Sequence, residues 1–151
     1  MTDAGSSARE RVAVVPLFYG RSDVASGCLQ SLARARTYRP FDIFAIENPS
    51  RHSGAARDVV RRAMASGDVA AAYFPASNAA FNSMLAALHD DLFGIRDNYD
   101  YILLSDGDIE VPKTFLDEEI GILEQYPGIA SVALRLDIRS WVPEAKGFEA
   151  A

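Results

Sequence analysis

The residues whose types and spacing most directly suggest chemistry are Asp106, Gly107 and Asp108, which follow the apolar run Tyr101 to Ser105 (YILLS). Two carboxylates flanking one residue can place oxygens on a divalent cation. Mg²⁺ and Mn²⁺ favour a few carboxylates with ligand phosphates completing the shell. The glycine between them permits a close backbone approach or a positive φ. The triplet by itself is equally an Asp-Gly turn, which such dipeptides favour, and in an aspartate-rich chain the spacing recurs by chance. Its position after a hydrophobic run is what gives it weight. Other polar and aromatic residues fall at comparable places: Phe18, Tyr19, Gly20 and Arg21 after the first apolar run; Glu47, Asn48 and Ser50 after the second; Ser77, Asn78 and, one turn on, Asn82 after the third. In open parallel sheets ligands bind beyond the carboxyl ends of the strands, so these groups are expected to meet on one rim.

The elements that must position them alternate in type. Val12 to Leu17 reads as a first strand, with Pro16 marking the end of its ladder. Ser22 is placed to cap a helix with Val24, Cys28, Leu29 and Leu32 on one stripe, ending near Tyr38. Phe41 to Glu47 is a second strand. A basic helix follows, with Val59, Val60, Ala63 and Met64 inward and Arg57, Arg61 and Arg62 on a solvated face. Val69 to Phe74 is a third strand, and an Ala-rich helix from Ala79 to Phe93 is expected to bury Phe81, Leu85, Leu88 and Leu92. Tyr101 to Ser105 is apolar enough for a fourth strand buried on both faces. Pro112 suits the first turn of a helix burying Phe115, Leu116, Ile120 and Leu123, and Ile129 to Leu134 reads as a fifth strand. Strands alternating with helices imply an α/β fold with a mainly parallel sheet and helices on both faces.

Composition narrows the function. The 151 residues, 49% hydrophobic and 24% charged, make one ordinary domain. With 15 Lys and Arg against 21 Asp and Glu the net charge is −6, which argues against a nucleic-acid groove because phosphate backbones are held by clustered cations. No apolar run approaches the roughly 18 residues of a membrane span, and residues 1–11 carry no apolar signal-peptide core. The single Cys28 cannot form an internal disulfide and lies on an apolar stripe, where a core role outweighs a nucleophilic one. The dinucleotide and Walker glycine motifs are absent. His52 and His89 stand apart from each other without clustered cysteines, so zinc is not expected. The expected location is the cytoplasm, with peripheral membrane association left open.

Four stretches in order, VAVVPLFYGR, FDIFAIENPS, FPASNAAFNSMLAAL and YDYILLSDGDIEVPKTFL, resemble the nucleotide-binding half of family-2 glycosyltransferases with the GT-A fold. The resemblance implies a three-layer α/β/α Rossmann-like domain over residues 12–138, a flexible N-terminus over 1–11, and a tail at 139–151 leading toward an absent acceptor half. It places Pro16, Phe18, Tyr19 and Arg21 beside the nucleotide, and Glu47, where the family usually has Asp, against the base, followed by Asn48 and Ser50. Ser77, Asn78 and Asn82 fall in the stretch before the third helix, where this chain has Ala and Ser in place of the family's glycines. Asp106, Gly107 and Asp108 match the Asp-x-Asp element, with Asp106 and Asp108 as ligands of Mn²⁺ or Mg²⁺. The implied activity is metal-dependent, inverting transfer of a sugar from a nucleotide-diphosphate sugar to a glycan, lipid or protein acceptor. No general base is assigned.

Two other readings stay open. One is a truncated, non-catalytic nucleotide-binding or interaction module, whose exposed sheet edge would favour an oligomer. The other, weaker one is a haloacid-dehalogenase-like phosphatase, which carries its Asp-x-Asp on the first strand and needs Thr or Val where this chain has Glu110.

Overall fold

The computed structural model describes residues 10–51 and 53–133. Its elements are β1 (Val12–Tyr19), α1 (Ser22–Ala33), β2 (Phe41–Asn48), α2 (Ser53–Ser66), β3 (Ala71–Tyr73), α3 (Asn82–His89), β4 (Tyr101–Asp106) and α4 (Phe115–Gln125). The chain divides into two units between Asp117 and Glu118, inside α4. The candidate site belongs wholly to the first.

The four strands form one parallel sheet in the order β3-β2-β1-β4. The chain builds outward from β1 through β2 to β3, then returns to lay β4 on the other side of β1. Such a reversal opens a crevice at the carboxyl ends of the two strands on either side of it. On one face, Ala13 and Val15 of β1 and Phe44 and Ile46 of β2 pack with Met84, Ala87 and Ile95. Phe44 meets Phe93 at 5.3 Å and Tyr99 edge-on at 5.4 Å between ring centroids. Cys28, Leu29 and Leu32 are buried on α1, as their spacing requires, and burial pushes the Cys28 thiol up to about 12. A thiol held protonated in this way is a core residue and not a nucleophile.

Several boundaries differ from the sequence expectation, each for a physical reason. Pro16 does not end its strand. It stays paired with Ser105 of β4, while on the β2 side pairing lapses between Val14↔Ile43 and Leu17↔Ile46, consistent with the missing proline N–H. Arg21, not Ser22, is the N-cap of α1, and the helix stops at Ala33. β3 is shortened to three residues. On α2, Met64 is exposed, and Ala56 and Val60 provide the fully buried positions. The apolar stripe read on α3 is rotated: Ser83, Met84 and Ala87 are buried, whereas Phe81, Leu85 and Leu92 are 47–49% exposed. β4 is an edge strand of this sheet with Ile102 and Leu104 exposed, so it is not buried on both faces. Pro112 precedes α4 by a turn instead of entering it, its carbonyl accepting from the Phe115 N–H at 3.4 Å. Residues 129–133 form no strand, and Leu134 lies outside the described residues. No described helix is long and apolar enough to cross a membrane.

Candidate functional site

The crevice between β1 and β4 is real and of useful size. A cleft of about 520 Å³ opens at the carboxyl ends of the strands, lined by Leu17, Phe18, Tyr19, Arg21, Val24, Asn48, Asn78, Ala80, Phe81, Asp106, Gly107 and Asp108. Of the residues singled out from sequence, Phe18, Tyr19, Arg21, Asn48, Asn78, Asp106, Gly107 and Asp108 are brought together there. Pro16, Glu47, Ser50, Ser77 and Asn82 do not line it. Pro16 is buried within β1, Asn82 opens α3, Ser77 is exposed in the preceding loop and Ser50 is half-buried.

β1 supplies the floor and one wall. Phe18 is buried, while the next residue, Tyr19, is 60% exposed. The chain then turns at Gly20, whose φ of 68° lies in the left-handed region that glycine enters without strain. The turn brings the Arg21 N–H to the Tyr19 carbonyl at 2.9 Å and places the Arg21 side chain at the rim. Its guanidinium binds Asp23 at 2.7 Å; that bond first, with the fields of Asp23 and, more weakly, Asp108, holds it above its ordinary value.

β4 supplies the acidic wall. Asp106 and Asp108 are exposed and Gly107 between them is buried. The Gly107 N–H donates to the Leu17 carbonyl at 2.8 Å, locking the triplet to β1. A Cβ at Gly107 would lie 2.7 Å from that carbonyl oxygen and closer still to the Phe18 ring. Its φ is not positive. The glycine is therefore required by close packing on β1, not by a left-handed turn or by a ligand's approach. The tight seat fixes where both carboxylates emerge.

The remaining wall is the loop before α3. Asn78 Oδ1 accepts from the Ala80 N–H at 2.8 Å, and Asn48 Nδ2 donates to the Ala80 carbonyl at 2.8 Å. The buried Ser83 hydroxyl donates to Asn48 Oδ1 at 2.5 Å. These bonds hold Ala80 at φ 48°, a left-handed conformation costing an alanine about 1 kcal/mol. Here the chain adopts with alanine a conformation that suits glycine. Asn48 is thus a brace between β2 and this loop, and the loop presents Phe81, 49% exposed, to the cleft. Sequence reasoning missed Val24, Ala80, Phe81 and Ser83. Phe81 was assigned to the core because it matches a helical stripe, and nothing local announced the Ser83–Asn48 bond.

Glu47 is fully buried, with Oε2 accepting from Arg57 Nε at 2.8 Å. Its Oε1 is buried without a hydrogen-bond partner among the described residues. Arg57 is therefore not part of a solvated face. It is 27% exposed and also lies 5.7 Å from the Phe74 ring centroid, with Arg61 5.4 Å from the same ring. The clue lay in its position next to Ala56 and one turn before Val60, at the border of the buried stripe of α2.

Among solved structures, this fold is similar to that of TarS from S. aureus. TarS 1–349 in complex with UDP-GlcNAc matches with a TM-score of 0.60 at 13% identity, over 87% of this chain and 38% of that one. The UDP complex matches with a TM-score of 0.60 at 13% identity, over 87% of this chain and 40% of that one. TarS itself matches at 0.59 and 12% identity, over 87% of this chain and 24% of that one. The chain thus spans well under half the length of these proteins, and the likeness is one of fold, a GT-A-like α/β domain with a parallel sheet. No protein-family profile and no curated protein sequence matches the chain. Asp106 is the last residue of β4, the fourth strand in chain order, beside β1, which is not the first-strand position of a haloacid-dehalogenase-like nucleophile.

Proposed function

We propose that this chain is the donor-binding part of a glycosyltransferase of the family-2 type, which moves a sugar from a nucleoside-diphosphate sugar to a hydroxyl acceptor with inversion and with a divalent cation. The observation that carries this reading is the joining of Asp106 and Asp108 with Tyr19, Arg21 and Asn78 in one cleft at the sheet's topological reversal. Its support from known proteins is the fold shared with TarS, solved with UDP and with UDP-GlcNAc.

The donor set suits the cation. Two carboxylates on one wall are hard oxygen ligands, and the open cleft beside them leaves room for diphosphate oxygens. Asp106 and Asp108 would hold Mn²⁺ or Mg²⁺, which when bound supplies Lewis-acid stabilisation of the leaving diphosphate. Arg21, at the rim and strongly cationic, would pair with a phosphate oxygen. The exposed rings of Tyr19 and Phe81 offer faces for the base or the sugar. Asn48, through its grip on Ala80, keeps the Phe81 wall in place. The acceptor hydroxyl would attack the anomeric carbon from the face opposite the diphosphate, breaking the bond from that carbon to the diphosphate oxygen. This releases the nucleoside diphosphate, and the hydroxyl proton passes to a base that is not assigned among the described residues.

Calorimetric titration of the chain with UDP and with GDP, each in Mn²⁺ and in EDTA, tests the reading. Binding of at least one nucleotide, tighter by tenfold or more in Mn²⁺, is expected. A folded chain that binds neither would overturn it and leave the interaction module.

A further inference from the structure

The bend before α3 is held by a buried polar chain that starts outside the cleft. Ser83 lies in the first turn of α3 and is 3% exposed. The next residue, Met84, and Ala87 one turn on belong to the core cluster with Val15 and Ile46, so the Ser83 hydroxyl is carried on a fixed element. It donates to Asn48 Oδ1 at 2.5 Å. That bond sets which way round the amide lies, leaving Nδ2 to donate to the Ala80 carbonyl at 2.8 Å. From the other side Asn78 Oδ1 accepts from the Ala80 N–H at 2.8 Å. Both backbone polar groups of Ala80 are thereby engaged while its φ is held at 48°. Released from these bonds, an alanine favours the right-handed region, and the helical conformation of Phe81 (φ −59°, ψ −25°) would continue back through it. The left-handed bend is what gathers Asn78, Ala80 and Phe81 into one wall of the cleft.

Resting on the donor-site reading above, we infer that Ser83 is a positioning residue for the nucleoside part of the donor. Asp106 ends β4 and Asn48 ends β2, on opposite sides of β1. Two strand spacings, about 10 Å, separate those ends. With the cation and diphosphate on the β4 side, the wall at Asn78, Ala80 and Phe81 meets a part of the donor beyond the diphosphate. Asn48 Oδ1, Asn48 Nδ2 and Asn78 Oδ1 are taken up by bonds inside the wall. It therefore meets a ligand mainly through Ala80 and the half-exposed Phe81 ring, a surface that suits the flat face of a base and not the hydroxyls of a sugar. Ser83 does not line the cleft and touches no ligand. It acts through the Asn48 amide on the Ala80 backbone, and its loss lets the bend relax and the wall fall out of line. Pyrophosphate, confined to the acidic wall and its cation, does not sense that change.

The test is titration of the whole chain with UDP, GDP and inorganic pyrophosphate in Mn²⁺, for the wild type, Ser83→Ala, Ser83→Cys, Ala80→Gly and the double variant Ser83→Ala/Ala80→Gly. Ser83→Ala is expected to weaken the tighter-binding nucleotide about fivefold, the scale of one lost hydrogen bond, while pyrophosphate affinity stays unchanged. Glycine adopts a φ of 48° without strain, so Ala80→Gly alone should bind as the wild type does. In the double variant the loss caused by Ser83→Ala should shrink to less than about twofold, because the two positions are coupled. Ser83→Cys, close in shape but a weaker donor, should fall between Ser83→Ala and the wild type, and it carries the comparison if Ser83→Ala does not fold. Wild-type nucleotide affinity in Ser83→Ala would overturn the inference. So would equal losses for nucleotide and pyrophosphate, the mark of a serine that only supports the fold, or an undiminished loss in the double variant. A folded wild type that binds neither nucleotide would instead remove the donor-site reading itself, and this inference with it.

Discussion

Gly107→Ala is expected to destabilise the chain by about 2 kcal/mol, the usual scale for forcing a methyl into a packed core, and to weaken Mn²⁺-dependent UDP binding more than tenfold. The added Cβ would meet the Leu17 carbonyl oxygen at 2.7 Å and the Phe18 ring. The carbonyl is backbone of a central strand, and Phe18 is 2% exposed, so neither gives way easily. The 106–108 segment would be pushed off β1, lengthening the bond from the Gly107 N–H to Leu17. Both carboxylates would then move relative to Tyr19 and Arg21 on the opposite wall. Urea unfolding midpoints and UDP titrations of the same preparation check the two effects. A variant within about 0.5 kcal/mol of the wild type, the range of ordinary surface changes, would show that the seat of Gly107 is not tight.

Asp108→Asn carries the second large effect and separates a metal ligand from a turn residue. Asparagine serves as well as aspartate in a turn, and Asp108 is exposed, so stability should barely change. As a ligand, however, the carboxylate is not replaced by an amide. Loss of partners merely outside a metal's ligands costs about 10–100-fold in affinity, so loss of Asp108 itself should weaken UDP binding in Mn²⁺ by about 100-fold or more. In EDTA the sign reverses. Removing one negative charge from the acidic wall lowers repulsion of the diphosphate, so the variant should bind UDP no worse than the wild type. Equal affinities of variant and wild type in Mn²⁺ would make the Asp-Gly-Asp stretch a turn.

Much of this arrangement could be read from the chain because it depends on local pattern. The apolar runs at Val12, Phe41 and Tyr101 became the long strands of the sheet, and Tyr19, Arg21, Asn48, Asp106 and Asp108 arrived on one rim because parallel strands share a carboxyl end, whereas Glu47 and Ser50 did not. What failed was information held by tertiary contact. Leu85 and Leu92 fit a helical stripe as well as Met84 does, but only the placement of α3 against β1 and β2 decides which side is covered. Pro16 signals a strand end from sequence, yet a central strand bonded on its other side carries through it. Gly107 reads from sequence as room for a ligand's close approach or for a positive φ, whereas the structure uses its lack of a side chain to pack against β1.

The candidate site shows the same division. Asp106, Asp108, Tyr19 and Arg21 were identifiable by type and position. Arg57 was not, because a basic residue on a helix with two other arginines looks solvated until its partner is known to be the buried Glu47. Ser83 is a polar residue amid apolar ones, and its partner Asn48 lies 35 positions away. Long-range polar pairs of this kind have no period for a sequence pattern to reveal.

The central claim, that a cation and a nucleotide meet at the β1–β4 crevice, is tested most directly by adding Mn²⁺ with UDP to the isotope-labelled chain and mapping paramagnetic broadening of its amide resonances. Broadening should centre on residues 106–108 and extend to 19–21 and 78–81, which share the cleft. The opposite end of the sheet, where Asp42 binds Arg11 at 2.6 Å and Tyr99 at 2.7 Å, should stay sharp. Broadening centred on Asp42 and on Asp100, whose carboxylate accepts from the Arg11 N–H at 3.0 Å at that same end, or spread evenly over the acidic surface of a chain with net charge −6, would contradict the account.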